Sequence, residues 1–360
     1  RVNITKLHIE EDAGKTINQD DIRLVDFNRC GIPLVEMVTE PDIRSAEEAA
    51  QYLIRLRQLL RWLEISEADM EKGNLRCDAN VSIRRKGESA LNQKTEIKNV
   101  NSIDALRDAI NKEINRQIHE VESGHPVLAW TLEWDEAGGV LRMMRSKETE
   151  ADYRYFREPD LLPLHISLDW KQKILESLPE LPLEKRSRFM HDYQLSEYDA
   201  ELLTMERSLS DYFETCLQCY CGEPKKVSNW LINDVLRLIN ELNLRAAELK
   251  LTPQYLADLI KMIDTGTINF NVAKDLLLKI QETGISPAEL VARLGLTRVS
   301  DEQTIRTVCE KVMEENPDEV ASFRNGKLGL MGWFTGQVMK KMGGRADAAL
   351  VKKILEELLK

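Results

Sequence analysis

The sequence predicts an α+β fold: a largely antiparallel sheet with two long helices, followed by an all-helical region and a small helical tail. Three observations carry this reading. Residues 1 to about 170 mix short alternating apolar runs with two long amphipathic stretches. From about residue 171 onward, almost every segment repeats its apolar residues at helical spacing, with Gly and Pro as punctuation. Across 360 residues, 42% are hydrophobic and 31% charged, which excludes a disordered or fibrous chain and allows two or three domains of ~100–200 residues each.

The chain opens Arg1-Val2-Asn3-Ile4-Thr5-Lys6-Leu7-His8-Ile9, already alternating, with no initiator Met and no signal peptide. It reads as beginning inside a domain. Leu7, Ile9 and Glu11 share one parity of this first strand. Asp26-Phe27-Asn28-Arg29-Cys30-Gly31-Ile32-Pro33 is a dense polar loop, either a tight turn or the wall of a site. The run Leu34-Val35-Glu36-Met37-Val38 is a strand with Glu36 on the face of Leu34 and Val38. Ser45 with Glu48 makes a capping box, opening a helix striped by Ala49, Leu53, Leu56, Leu60 and Leu63.

Cys77, Ala79, Val81 and Ile83 alternate with Asp78, Asn80, Ser82 and Arg84, which predicts a half-buried strand. Thr95 to Val100 returns beside it after a turn at Lys86-Gly87-Glu88, with Glu96 and Lys98 on one side. A second helix follows Asn101-Ser102, with Leu106, Ile110, Ile114 and Ile118 on one face. The helical part begins after Pro179 and Pro182 and shows stripes at Trp230, Leu231, Val235, Leu238 and at Leu256, Leu259, Ile263. Gly266 and Gly284 end helices, Ser286-Pro287-Ala288-Glu289 opens one, and Leu350, Ile354 and Leu358 stripe the last.

No apolar run approaches the ~20 residues of a membrane helix. The net charge of −11 makes the whole chain a poor polyanion binder, yet from Ser322 onward eight basic residues meet three acidic ones, a local net of +5. That basic module is either a phosphate-backbone footprint or a solvated helix face. Six cysteines form no disulfide framework; Cys30, Cys77 and Cys309 read as reduced core residues. Cys216, Cys219 and Cys221 contain a CxxC step without the partners that would complete four zinc ligands, so a buried helix face is the simpler reading.

Chemistry concentrates in the first half. A carboxylate among apolar neighbours is costly unless it is paired or holds a cation. Glu11 and Glu36, with Asp78 on another strand, therefore suggest a Mg²⁺ site, the alternative being ion pairs to Arg29 or Lys15. Residues 152–160 interleave bases with aromatics, a composition that stacks on a nucleobase or forms an amphipathic strand. No phosphate-binding loop, dinucleotide fingerprint, nucleophile elbow or HExxH motif occurs.

Several long motifs resemble one family. Leu7-His8-Ile9-Glu10-Glu11-Asp12-Ala13-Gly14-Lys15 and Val25-Asp26-Phe27-Asn28-Arg29-Cys30-Gly31-Ile32-Pro33-Leu34-Val35-Glu36 are similar to the B subunit of tRNA-dependent aspartyl/glutamyl-tRNA amidotransferases. So are Glu40-Pro41-Asp42-Ile43-Arg44-Ser45, Leu75-Arg76-Cys77-Asp78-Ala79-Asn80-Val81-Ser82, Glu96-Ile97-Lys98-Asn99-Val100-Asn101-Ser102 and residues 152–160. Gly336-Gln337-Val338-Met339-Lys340 resembles the tail of that family, so the likeness runs over essentially the whole chain.

The resemblance implies an antiparallel-sheet cradle (catalytic) domain over 1–173, a helical domain over 174–295 and a tRNA-binding helical tail over 296–360. It implies a cytoplasmic carbon–nitrogen ligase that works as one part of a complex. Glutamate on glutamine tRNA, or aspartate on asparagine tRNA, is activated at its side chain by ATP with Mg²⁺, then amidated by ammonia released from glutamine. The implied partners are an amidase (A) subunit, a small C subunit and the misacylated tRNA. By motif, Glu11 and Glu36 would hold Mg²⁺, Asp78 would position metal or nucleotide, and Asn28, Arg29 and Lys98 would contact nucleotide, phosphate or substrate carboxylate. Lys340, Lys341 and Arg345 would contact tRNA. The family also has an upstream strand bearing a His and a Glu of the same site. The competing reading is a non-catalytic tRNA-binding scaffold.

Overall fold

The computed structural model describes all residues except 20–21, 147–161, 297–300, 345 and 360. Two compact units divide the chain, Arg1–Pro179 and Glu180–Lys360. Among the described residues, no helix is long and apolar enough to cross a membrane. The motif at 152–160 lies outside the described residues.

The first unit begins with four strands, β1 (Ile4–Glu11), β2 (Lys15–Gln19), β3 (Ile22–Asp26) and β4 (Pro33–Thr39). β1 runs antiparallel to β4, and β2 to β3, which nests one hairpin inside another. None of the residues in these four strands is buried. Helix α1 (Ala46–Trp62) starts where the sequence predicts: the Ser45 hydroxyl accepts from the Glu48 amide at 3.1 Å. The reciprocal half of the cap is shifted by one residue, since the Glu48 carboxylate accepts from the Arg44 amide at 2.7 Å.

A four-stranded sheet follows, ordered β5 (Cys77–Val81), β6 (Thr95–Val100), β7 (Trp130–Asp135) and β8 (Val140–Ser146). Helix α2 (Ile103–Glu122), capped by Ser102, crosses between β6 and β7. That crossover makes β6 and β7 parallel, while the outer pairs are antiparallel. The core packs α1 and α2 on one face of this sheet through Ala49, Leu53, Leu106, Ala109, Val81, Ile97, Val100 and Trp134. The predicted stripe of α2 drifts, because 3.6-residue spacing rotates it: Ile118 is exposed and Glu113 and Gln117 are buried in its place. Helix α3 (Leu168–Ser177) has no buried residue and ends the unit.

The second unit is entirely helical among its described residues. It comprises α4 (Pro182–Asp192), α5 (Glu197–Leu203), α6 (Arg207–Tyr220), α7 (Pro224–Trp230), α8 (Leu236–Leu242), α9 (Pro253–Asp264), α10 (Phe270–Thr283) and α11 (Pro287–Leu294). These build one core; α12 (Glu302–Glu315), α13 (Pro317–Arg324), α14 (Leu330–Lys341) and α15 (Ala348–Leu358) build a second. A π-helical turn, Leu231–Val235, joins α7 to α8 and buries Leu231 and Val235 as their stripe predicts. Gly284 takes the left-handed conformation (φ 73°) that ends α10, and Ser286 caps α11 through the Glu289 amide.

The thiols correct one expectation. Cys30 is exposed rather than core, because its strand hairpin buries nothing, and Cys77 is half-buried. Cys309 and Cys216 are buried, and burial pushes their thiols up to about 11 and about 12, well above physiological pH. Cys219 is half-buried and Cys221 is an exposed left-handed helix cap.

Candidate functional site

The β1–β4 register decides which acids act together. His8 lies opposite Glu36, Lys6 opposite Val38 and Glu10 opposite Leu34. Directly opposed residues share a face, so Lys6, His8, Glu10 and Glu36 are on one side. Leu7, Ile9 and Glu11 are on the other, with Val35 and Met37. Both Glu11 and Glu36 are exposed. The expectation of two carboxylates buried together is therefore corrected on both counts: strand parity separates them, and both are exposed. A single cation held by Glu11 and Glu36 does not fit this arrangement.

Glu36 instead pairs with Lys6, Nζ to Oε2 at 3.2 Å, both side chains being about half exposed (44% and 50%). Its neighbour on the same face is Glu10, a diagonal cross-strand position at the ~7–8 Å backbone separation that long carboxylate side chains can bridge. Two carboxylates with water and phosphate oxygens suit Mg²⁺. Among the described residues, no three His, Cys, Asp or Glu side chains already converge on a metal-sized point. The sequence signal for Glu10 was its place one residue before Glu11, with the parity of His8.

The polar loop at 26–33 is an organised turn. The Asp26 carboxylate accepts from the Asn28 amide at 2.9 Å, and Gly31 sits at φ 78°. Arg29 is held inward: its Nε donates to Asp12 Oδ2 at 2.8 Å and its Nη1 to the Gly73 carbonyl at 3.3 Å. Arg76 adds a longer contact to the same Asp12 oxygen at 3.9 Å. The residue sent to a phosphate by the motif thus has a carboxylate partner in this structure, and it ties the ribbon to the segment leading into β5. Asn28 is exposed.

The second cluster is the sheet face opposite the helices. Lys98 Nζ lies 2.7 Å from Asp78 Oδ2 and 3.2 Å from Glu96 Oε1. Partial burial works against its charge, but the hydrogen bonds and charges of Asp78 and Glu96 prevail and hold its pKa above the ordinary lysine value. The Thr131 hydroxyl donates to Glu96 Oε2 at 3.3 Å, and the Asn99 carboxamide donates to Glu133 Oε1 at 2.7 Å. The structure brings Asp78 and Lys98 together as sequence parity suggests. Sequence reading missed Asn99 and Glu133; the available signal was an asparagine inside a predicted strand, where it is disfavoured.

In the tail, Lys340 and Lys341 are exposed in the last turn of α14, and Lys341 pairs with Glu315 of α12. Arg345 lies outside the described residues.

Comparison with known proteins places this geometry. Residues 1–172 match the GatB/GatE catalytic domain and residues 211–359 the GatB domain. The B subunit of the aspartyl/glutamyl-tRNA(Asn/Gln) amidotransferase from Thermodesulfovibrio yellowstonii is 45% identical over 100% of this chain and 76% of its own length. The proteins of the same name from Persephonella marina (44%) and Thermotoga maritima (42%) are covered to the same extents. Both polar clusters lie within the stretch matched by the catalytic domain, and the match spans the entire chain: it belongs to the B-subunit family of aspartyl/glutamyl-tRNA(Asn/Gln) amidotransferases.

Proposed function

We propose that this chain is the activating component of a cytoplasmic amidotransferase acting on misacylated tRNA. ATP phosphorylates the side-chain carboxylate of glutamate or aspartate esterified to tRNA, and ammonia supplied by a glutaminase (A) subunit displaces phosphate to give the amide. A small C subunit completes the complex. The observation that carries this reading is that two groups of acidic and basic side chains, His8/Glu10/Glu36 and Asp78/Glu96/Lys98, fall inside the residues matched by the catalytic-domain description.

A carboxylate oxygen is a poor leaving group until it carries a phosphoryl group, so positioning and charge neutralisation carry the catalysis. Glu10 and Glu36 would hold Mg²⁺, which when bound would supply Lewis-acid neutralisation of the charge on the transferring phosphoryl group. Lys98, kept cationic by Asp78 and Glu96, is assigned to the anionic reactant, and Asp78 holds its amine in place. Arg29 fastens the ribbon through Asp12. The tail lysines are assigned to the tRNA backbone.

The test is phosphate release by the full-length complex that depends on both ATP and misacylated tRNA. Glu10→Gln and Glu36→Gln should each lower it by at least about a hundredfold, since neutral amides are weak ligands for a hard dication. Glu11→Gln, on the opposite face, should retain most activity. Near-normal release by Glu36→Gln would remove the ribbon face from the site. A wild-type complex whose phosphate release ignores the misacylated tRNA would favour the scaffold reading.

A further inference from the structure

Strand β6 is not a simple alternating strand. Cys77 pairs with Val100 and Ala79 with Ile97, so two steps along β5 are matched by three along β6. The additional residue makes a bulge opposite Asp78, and Asn99 takes it up in the left-handed region at φ 65°. Asparagine tolerates that conformation better than most side chains. The consequence is a reversal of parity: Ile97 and Val100 are both in the core, while Lys98 and Asn99 are both outside it.

The bulge places Asn99 beside Glu133, to which its carboxamide donates at 2.7 Å across to β7. Glu133 is also the register partner of Lys98 in the parallel β6–β7 pair. A third carboxylate therefore occupies the strand position paired with Lys98, already engaged by Asn99, while the amine lies on Asp78 and Glu96. We infer that Asn99 is a positioning residue: by clasping Glu133 it keeps that carboxylate from competing for Lys98 and fixes the amine toward Asp78. This rests on the reading above that the Asp78/Lys98 face meets the reactants.

Exchange of donor and acceptor tests it in the complete amidotransferase with misacylated tRNA. Asn99→Gly keeps the left-handed backbone at no steric cost but loses the clasp. Its kcat for amide formation should fall about tenfold or more, with the KM for tRNA within about twofold, as expected for a lost hydrogen bond to a charged group. Asn99→Asp sets two carboxylates against each other and should fall further. The double variant Asn99→Asp/Glu133→Gln reverses the hydrogen bond at constant total charge and should recover to within a few-fold of wild type. A structural role alone would not give that rescue. An unchanged kcat in Asn99→Gly, or a double variant no better than Asn99→Asp, would overturn the inference, as would kcat losses that simply follow thermal midpoints. Lys98→Gln separates the two levels. If it retains full kcat, the reading of this face fails and the inference with it; if it is inactive while the double variant stays impaired, only the role of Asn99 is lost.

Discussion

A carboxylate with no solvent exposure needs partners, and Glu113 on α2 has them. The Thr95 hydroxyl donates to it at 2.6 Å and the Gln117 amide at 2.7 Å, and Arg116 reaches both oxygens at 2.8 Å. Gln117 extends the network to the Val81 carbonyl and accepts from the Ile83 amide, so the group pins the end of β5 to α2. Removing one member leaves the others buried without an acceptor. Glu113→Ala should therefore destabilise the first unit by about 3 kcal/mol, read as a lower denaturant midpoint at unchanged slope. A loss below ~1 kcal/mol would mean that the network relaxes onto water. The residue scale is also where Arg29 changes role, since its reach toward Asp12 depends on a carboxylate 17 residues earlier in the chain.

Elements decide the tail. Lys340 and Lys341 end α14, where cations also complement the partial negative charge of the helix C-terminus. Only Lys341 is fastened to Glu315; Lys340 has no ion pair among the described residues and is exposed. The two should behave differently on charge reversal. Lys340→Glu should weaken tRNA binding and reduce its salt slope by about one phosphate contact, with little change in stability. Lys341→Glu should additionally destabilise the tail by setting a like charge against Glu315. Filter binding across a salt series and a thermal melt separate these effects; an unchanged slope in Lys340→Glu would take this helix end out of the RNA footprint.

At the scale of the molecule, the two units differ in what holds them. The first has one core between α1, α2 and the sheet, and its ribbon leaves Leu7, Ile9 and Val35 more than 60% exposed. The second has two helical cores and a set of ion pairs across helices. Glu214 on α6 meets Lys185 and Arg188 of α4, and Asp199 on α5 meets Lys225 of α7. Burial would raise both carboxyls, but those cations and hydrogen bonds prevail and hold their pKa values below the ordinary range. A carboxylate depressed in the folded state adds stability that is present above its unfolded pKa, about 4, and is lost as pH falls below it toward the folded value. The second unit should thus lose helicity on acidification below about pH 4, and Glu214→Gln should be less stable at neutral pH with a shallower acid limb. Parallel curves for variant and wild type through that window would show that Glu214 is not linked to the transition.

Helix ends were legible in the residues themselves. Ser45, Ser102 and Ser286 cap helices and Gly284 ends one, because capping is settled within a turn of chain. The alternation of β5 and the placing of Asp78 with Lys98 were legible for the same reason: strand parity is a local property, and Glu11 was correctly assigned to the face of Leu7 and Ile9. What that parity meant was decided elsewhere. Whether Glu11 or Glu10 accompanies Glu36 depends on a register set across a connection of more than twenty residues. Val100 reaches the core only through the bulge at Asn99, and β6 meets β7 in parallel only because α2 intervenes. The sequence by itself determined where elements start, stop and turn. Tertiary structure decided which faces meet, because each face is chosen by a partner strand that local periodicity does not encode.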